Sequence, residues 1–269
     1  MKKNINRLVV LFFIITVIFL LPRCGKDDNP VESGDETVHS TGLEIPAYNS
    51  TDQIVYHTAY TLQYNETYEQ ADWVAYYLTK DRLYGGVSRT NDYRADPSVT
   101  TESAQLSDYS GTGYNRGHLA PAADFTWSST AMSESFYLSN MSPQIYAFNA
   151  GIWETLETWV RSWANASTDT LFIAVGPVLR SGLPTIGSRN KLAVPEYFYK
   201  AIMRKSTTGT LSAIAFLMKH ESSSAAMATF AITVDSLEKI TNIDFFSKLP
   251  ASSQAEIESK IDTSKWPGI

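Results

Sequence analysis

The chain has 269 residues, of which 43% are hydrophobic, 19% charged and 12% aromatic. That composition excludes a wholly disordered or fibrous chain, and the length suits one large domain or two small ones. The single cysteine excludes an internal disulfide framework, and the net charge of −6 gives no bulk attraction for polyanions.

The chain opens with Lys2, Lys3 and Arg7, then an apolar run from Leu8 to Leu21 broken only by Thr16. These fourteen residues reach about 21 Å at ~1.5 Å each, short of the ~30 Å hydrocarbon core, so a secretory signal peptide is expected. The run ends in Leu-Pro-Arg-Cys24, which resembles a bacterial lipoprotein signal in which the cysteine carries lipid and becomes the mature N-terminus. Arg23 departs from that pattern, because a small residue is usual there. The competing reading is an uncleaved signal anchor with an incidental cysteine. The Lys-Asp-Asp after Cys24-Gly25 resembles the start of exported Gram-negative lipoproteins, so the expected location is the outer membrane, facing the periplasm or the cell exterior. Without residues 1–23 the chain holds 18 Lys+Arg against 28 Asp+Glu, or −10. Residues 24–45 are acidic and poor in apolar groups and read as a flexible tether. The body, 46–269, then carries 17 against 22, or −5, so any site for a polyanion must be a local arrangement.

Residues 54–64 are β-branched and aromatic and read as a strand. Asn65 to Gln70 is a polar turn and Trp73 to Leu78 a second strand, which together predict a hairpin. Residues 85–115 read as a long loop, a length that is uncommon unless functional. Ile152, Trp153, Leu156, Trp159, Val160 and Trp163 recur at helical spacing, predicting an amphipathic helix over 149–164, most of whose tryptophans pack in the core. Leu171 to Val175, Tyr197 to Met203 and Ala213 to Met218 read as buried strands. Asp235 with Glu238, and Ser253 with Glu256, have the spacing of capping boxes and predict two helices. No internal repeat appears, and one mixed α+β domain is the economical reading.

The P-loop, the His-Glu-x-x-His and paired-cysteine zinc patterns, and the Gly-x-Ser-x-Gly elbow are absent. Gly111-Thr-Gly-Tyr-Asn-Arg-Gly117 is one residue off a dinucleotide fingerprint and follows a loop, so it is discounted. Of four histidines, His39, His57 and His220 have ordinary explanations; His118 stands apart. In Asn115-Arg-Gly-His118, residues two apart in extended chain share a side, so Arg116 and His118 would point together, with Gly117 letting another group approach the backbone. Arginine suits phosphate oxygens and histidine suits a general base. Asn149 opens the amphipathic helix, where it could be an N-cap or a neutral oxygen ligand for Mg²⁺.

Arg-Gly-His followed by Leu-Ala-Pro-Ala-Ala-Asp124, then Tyr-Leu-Ser-Asn140-Met-Ser-Pro-Gln144, then Asn149-x-Gly-x-Trp-x-x-Leu-Glu157 resembles the DNA/RNA non-specific endonucleases. These are the ββα-metal nucleases related to mitochondrial endonuclease G. The likeness runs from Trp73 to about Phe246 and extends to Val175-Gly-Pro177, Val194-Pro-Glu-Tyr-Phe-Tyr-Lys200 and Ile243-Asp-Phe-Phe246. It implies a central antiparallel sheet flanked by helices, with a ββα element carrying the site. It implies a Mg²⁺-dependent endonuclease, with Mn²⁺ as a substitute, cutting DNA and RNA to 5′-phosphate ends. His118 matches the general base, Asn149 the side chain bound to the metal, Glu157 the acid holding a metal-bound water, and Asn140 a supporting asparagine. Arg116 matches the motif arginine. Arg89 matches an upstream arginine that contacts phosphate, with Arg94 nearby as a rival. Some relatives pair as homodimers. One position departs: Asn115 stands where the family has Asp, replacing a charged acceptor by a neutral amide. This leaves a second reading, a nuclease-like lipoprotein that binds polyanions with weakened or lost cutting. A third, remoter one is a carbohydrate-binding lipoprotein using its Tyr and Trp residues.

Overall fold

The computed structural model describes residues 42–269. The expected signal peptide, Cys24, His39 and the tether up to residue 41 lie outside the described residues. Among the described residues no helix is long and apolar enough to cross a membrane.

A seven-stranded sheet forms the centre. Its strands are β1 (Gln53–Tyr56), β2 (Thr61–Asn65), β3 (Gln70–Leu78), β6 (Thr170–Pro177), β9 (Tyr197–Lys205), β10 (Leu211–Lys219) and β11 (Ala231–Ile232), paired in that order. Every pairing is antiparallel. Outside it lie two ribbons: β4 (Asn115–His118) with β5 (Met141–Gln144), and β7 (Thr185–Ile186) with β8 (Leu192–Ala193). The described residues also form five α-helices, α1 (Leu106–Tyr109), α2 (Ser129–Glu134), α3 (Glu154–Asn165), α4 (Val234–Thr241) and α5 (Ala251–Glu258).

Both sheet faces are covered, so the central strands read as nearly continuous apolar runs. In β6, Leu171, Ile173 and Val175 face a core that includes Leu156, Val160 and Trp163 of α3. Phe172 and Ala174 face the opposite core, with Val234 and Leu237 of α4 and Ile257 of α5. That alternation is the two-residue side-chain period of a strand. Leu43 and Ile45, ahead of the expected domain start at residue 46, already pack on the sheet, Ile45 against Trp73 and Ala75.

The expected hairpin is present as β2–β3, and the strands near 171–175, 197–203 and 213–218 are found with longer ends. The single strand expected over 54–64 is two antiparallel strands, because the chain turns between Tyr56 and Thr61, where His57 N–H donates to the Tyr60 carbonyl at 2.9 Å. The expected loop 85–115 contains α1. Both capping boxes are displaced. The N-cap of α4 is Thr233, whose hydroxyl oxygen accepts the Ser236 N–H at 3.2 Å, while the Glu238 carboxylate accepts the Phe245 N–H at 2.8 Å. α5 starts after Pro250, so Ser253 lies inside it. Helix starts here follow the residues that reach the core and the proline that fixes the turn, with side-chain caps secondary.

Candidate active site

β4 is a four-residue strand held on β5, with Arg116 opposite Pro143 and His118 opposite Met141. Its glycine is required by a close approach: a Cβ on Gly117 would stand 2.1–2.6 Å from the Gln144 side chain, which is buried. The alternation places Arg116 and His118 on one side, as expected. The Arg116 guanidinium lies 4.2 Å from the centre of the Tyr93 ring, and the His118 ring meets the same tyrosine at 5.9 Å.

His118 is buried, and its Nε2 has no hydrogen-bond partner. The ring stands edge-on to Phe136 at 4.9 Å, and the Arg89 guanidinium covers the same Phe136 ring at 4.7 Å. Burial, then the charges of Arg89 and Arg116, pull the His118 pKa down to about 3, so the imidazole is neutral. Arg89 also donates to the Tyr93 hydroxyl at 3.2 Å and to Asn91 at 2.9 Å. Arg94 is occupied elsewhere, donating to the Asp92 carboxylate at 2.7 Å and to the Ser133 carbonyl and hydroxyl at 3.0 Å. Of the two upstream arginines, Arg89 is the one beside His118.

Asn140 is fully buried and spends its carboxamide on backbone. Its oxygen accepts the Ala120 N–H, and its nitrogen donates to the Ala120 and Ser135 carbonyls, each at 2.9 Å. The Leu119 N–H donates to the Asn140 carbonyl at 2.9 Å. Asn140 therefore clamps the chain leaving His118 and does not itself face the cleft.

Asn149 lies in a π-helical turn, Phe148–Trp153, that runs into α3 and breaks from helical geometry at Gly151 (φ −119°, ψ −115°). Three aromatic contacts seat this turn: Phe148 packs on Trp153 at 5.5 Å, on Phe198 at 5.2 Å and on His220 at 5.2 Å. His220 accepts the Ile145 N–H at Nε2, 2.8 Å, and donates from Nδ1 to the Pro195 carbonyl at 2.9 Å, a neutral structural histidine. The N-cap role does not hold for Asn149: no cap bond forms, and its carboxamide takes no hydrogen bond among the described residues. The carboxamide instead lines an open cleft of about 420 Å³ together with Arg116, Asn115, Tyr93, Tyr109 and Tyr114. An unengaged neutral oxygen in a cleft fits a hard cation that keeps most of its waters.

Glu157 lies about two turns along from Asn149 and does not line the cleft. It is half-buried and belongs to a charge group with the buried Asp124 and Lys200 and with Arg161. Asp124 accepts from the Tyr76 hydroxyl at 2.9 Å and from Arg161 at 3.2 Å, and Lys200 is fully buried with no hydrogen-bond partner at Nζ, 5.1 Å from the Trp153 ring. Burial raises the Glu157 carboxyl pKa, while Lys200 and Arg161 pull it back. Tyr93, Asp124, Arg161, Gln144 and Lys200 carried no assigned role in the sequence. Asp124, Gln144 and Lys200 stand in the family-like blocks, and Arg161 lies four residues past Glu157 on the same helical face; Tyr93 left no such signal.

Residues 39–252 match the family model described as DNA/RNA non-specific endonuclease. Nuclease C1 of Cunninghamella echinulata var. echinulata is 33% identical over 217 residues, covering 74% of this chain and 84% of that protein. The mitochondrial nuclease EXOG of Mus musculus is 30% identical over 229 residues, covering 79% of this chain and 62% of that protein, so this chain spans less than two thirds of its length. A chain in the crystal structure of the EndoG/EndoGI complex, solved for the mechanism of EndoG inhibition, superposes with a TM-score of 0.70 at 28% identity, covering 76% of this chain and 89% of that one.

Proposed function

Because this chain belongs to the DNA/RNA non-specific endonuclease family, whose members are metal-dependent nucleases, we propose that it hydrolyses DNA and RNA phosphodiester bonds to 5′-phosphate ends. The observation that carries this reading is the convergence of Arg116, Asn149, Arg89 and a neutral His118 around Tyr93 and its cleft. His118, uncharged and without a partner at Nε2, can take the proton of an attacking water. Arg116 and Arg89 grip phosphate oxygens, and contacts of that kind carry no base information, so little sequence preference follows. Asn149 would hold Mg²⁺ and Glu157 one of its waters. When bound, the ion supplies positive charge against the charge developing at the phosphate and the leaving oxygen. Asn140 keeps the His118 segment in place.

Incubating the purified protein with plasmid and Mg²⁺ tests the proposal. Wild type should fragment the plasmid and EDTA should stop it, while His118→Ala should lower the rate by about 10²- to 10⁴-fold. A His118→Ala protein that cuts at the wild-type rate would refute the base assignment. Asn115, which lines the cleft as a neutral amide, keeps the second reading in play. A wild-type protein that retards DNA in a gel without fragmenting it would favour binding over cutting. We further propose export and membrane attachment through lipid on Cys24, on the strength of the N-terminal pattern.

A further inference from the structure

Away from the cleft, α4 and α5 bring three acids together. Asp235 is in the first turn of α4, Glu238 lies one turn on, and Glu258 is the last residue of α5. One ligand oxygen from each lies within 4.8 Å of the others. Glu258 is only 4% exposed, and its Oε1 has no hydrogen-bond partner. Asp244 adds a further negative charge acting on both Glu238 and Glu258, and Lys239 is the cation that acts on Glu238. None of the three forms an ion pair among the described residues.

The position of Glu258 is unfavourable for a bare carboxylate. A buried charge without a partner is costly, and a negative group at the end of α5 meets the negative pole of the helix. A cation would answer both. The donors are all carboxylate oxygens, which select a hard divalent ion. Ligands across Ca²⁺ can stand about 4.6–5.2 Å apart, twice its ~2.3–2.6 Å bond length, whereas Mg²⁺ at ~2.0–2.1 Å permits only about 4.2 Å. Three carboxylate oxygens within 4.8 Å of one another fit inside the flexible six- to eight-oxygen shell of Ca²⁺. We propose that Asp235, Glu238 and Glu258 bind Ca²⁺ and fasten α5 to α4. Glu258 lies beyond residue 252, where the match to the family model ends, and the site shares no residue with the cleft.

Thermal unfolding of the purified protein in EDTA and across a Ca²⁺ titration tests this, beside Glu258→Gln and Asn149→Ala. At a Ca²⁺ concentration about a hundredfold over Kd, the wild-type Tm should rise by roughly 5 °C or more. Asn149→Ala should keep that rise and Glu258→Gln should lose it. If Glu258→Gln does not fold, Asp235→Asn, altering a partly exposed side chain, carries the same expectation. A wild-type Tm that ignores Ca²⁺, an undiminished rise in the acid-cluster variant, or a rise lost only in Asn149→Ala would each overturn the proposal. The readout is stability, so it stands or falls apart from any nuclease result.

Discussion

At His118 the decisive effect is the cost of charge. Burial comes first and the guanidinium groups of Arg89 and Arg116 second, and all act in one direction, taking the pKa to about 3. A ring that stays neutral keeps a lone pair, but so low a pKa makes it a weak base in this state. It also makes stability pH-dependent in a defined sense. The folded value lies below the unfolded value of ~6.5, so the contribution is fully present above that pH and drains away as pH falls toward 3. The His118 imidazole resonances are therefore expected to hold their neutral positions between pH 8 and 5 in an NMR titration. A midpoint near 6.5 would contradict the burial argument. His57 has a partner where His118 Nε2 has none: it bonds the buried Asp96 carboxylate at 2.8 Å. Burial alone would raise the Asp96 pKa, but the His57 hydrogen bond and charge, with Ser139 and the Ser98 N–H, bring it below its ordinary value.

Among the elements, the β4–β5 ribbon depends on the Asn140 clamp more than on its ladder, which is four residues long. Asn140→Ala removes three bonds to backbone groups and leaves the Ala120 N–H and the carbonyls of Ala120 and Ser135 short of a partner. A loss of roughly 2–4 kcal/mol in urea unfolding is expected, with activity falling alongside. A change under about 0.5 kcal/mol would show the clamp to be dispensable. Much of this unit was legible: Arg116 and His118 share a side because strands alternate, and Gly117 is small because Gln144 lies over it. The π-turn at Asn149 was not, since a periodic pattern of apolar residues looks the same whether the first turn is α or π. The caps of α4 and α5 were misplaced for a related reason. Thr233 offers the same oxygen chemistry as Asp235, and only the burial of Val234 and Leu237 decides between them.

On the scale of the described residues, the sheet is sandwiched between α3 on one face and α4 with α5 on the other, and the β4–β5 ribbon of the candidate site lies outside it. The proposed lipid anchor acts at this scale too, because it would fix the entire body at a membrane surface. Cys24→Ala is expected to move the exported protein from the membrane fraction to the soluble fraction. An unchanged distribution on fractionation would remove the lipoprotein reading and leave the nuclease reading intact.

By itself the sequence carried the residue types proposed for the chemistry and determined the kind of most elements, because alternation, helical spacing and turn residues act over a few neighbours. It also carried the ordered blocks from Arg116 to Glu157 that identify the family. Tertiary structure alone set Arg89 beside His118 and engaged Arg94 with Asp92 and Ser133, grouped Asp124, Arg161 and Lys200 around Glu157, and set Glu258 against Asp235 and Glu238. These are meetings of segments distant along the chain. Packing of the two cores fixes them, and nothing in a local pattern records which distant residue will fill the space.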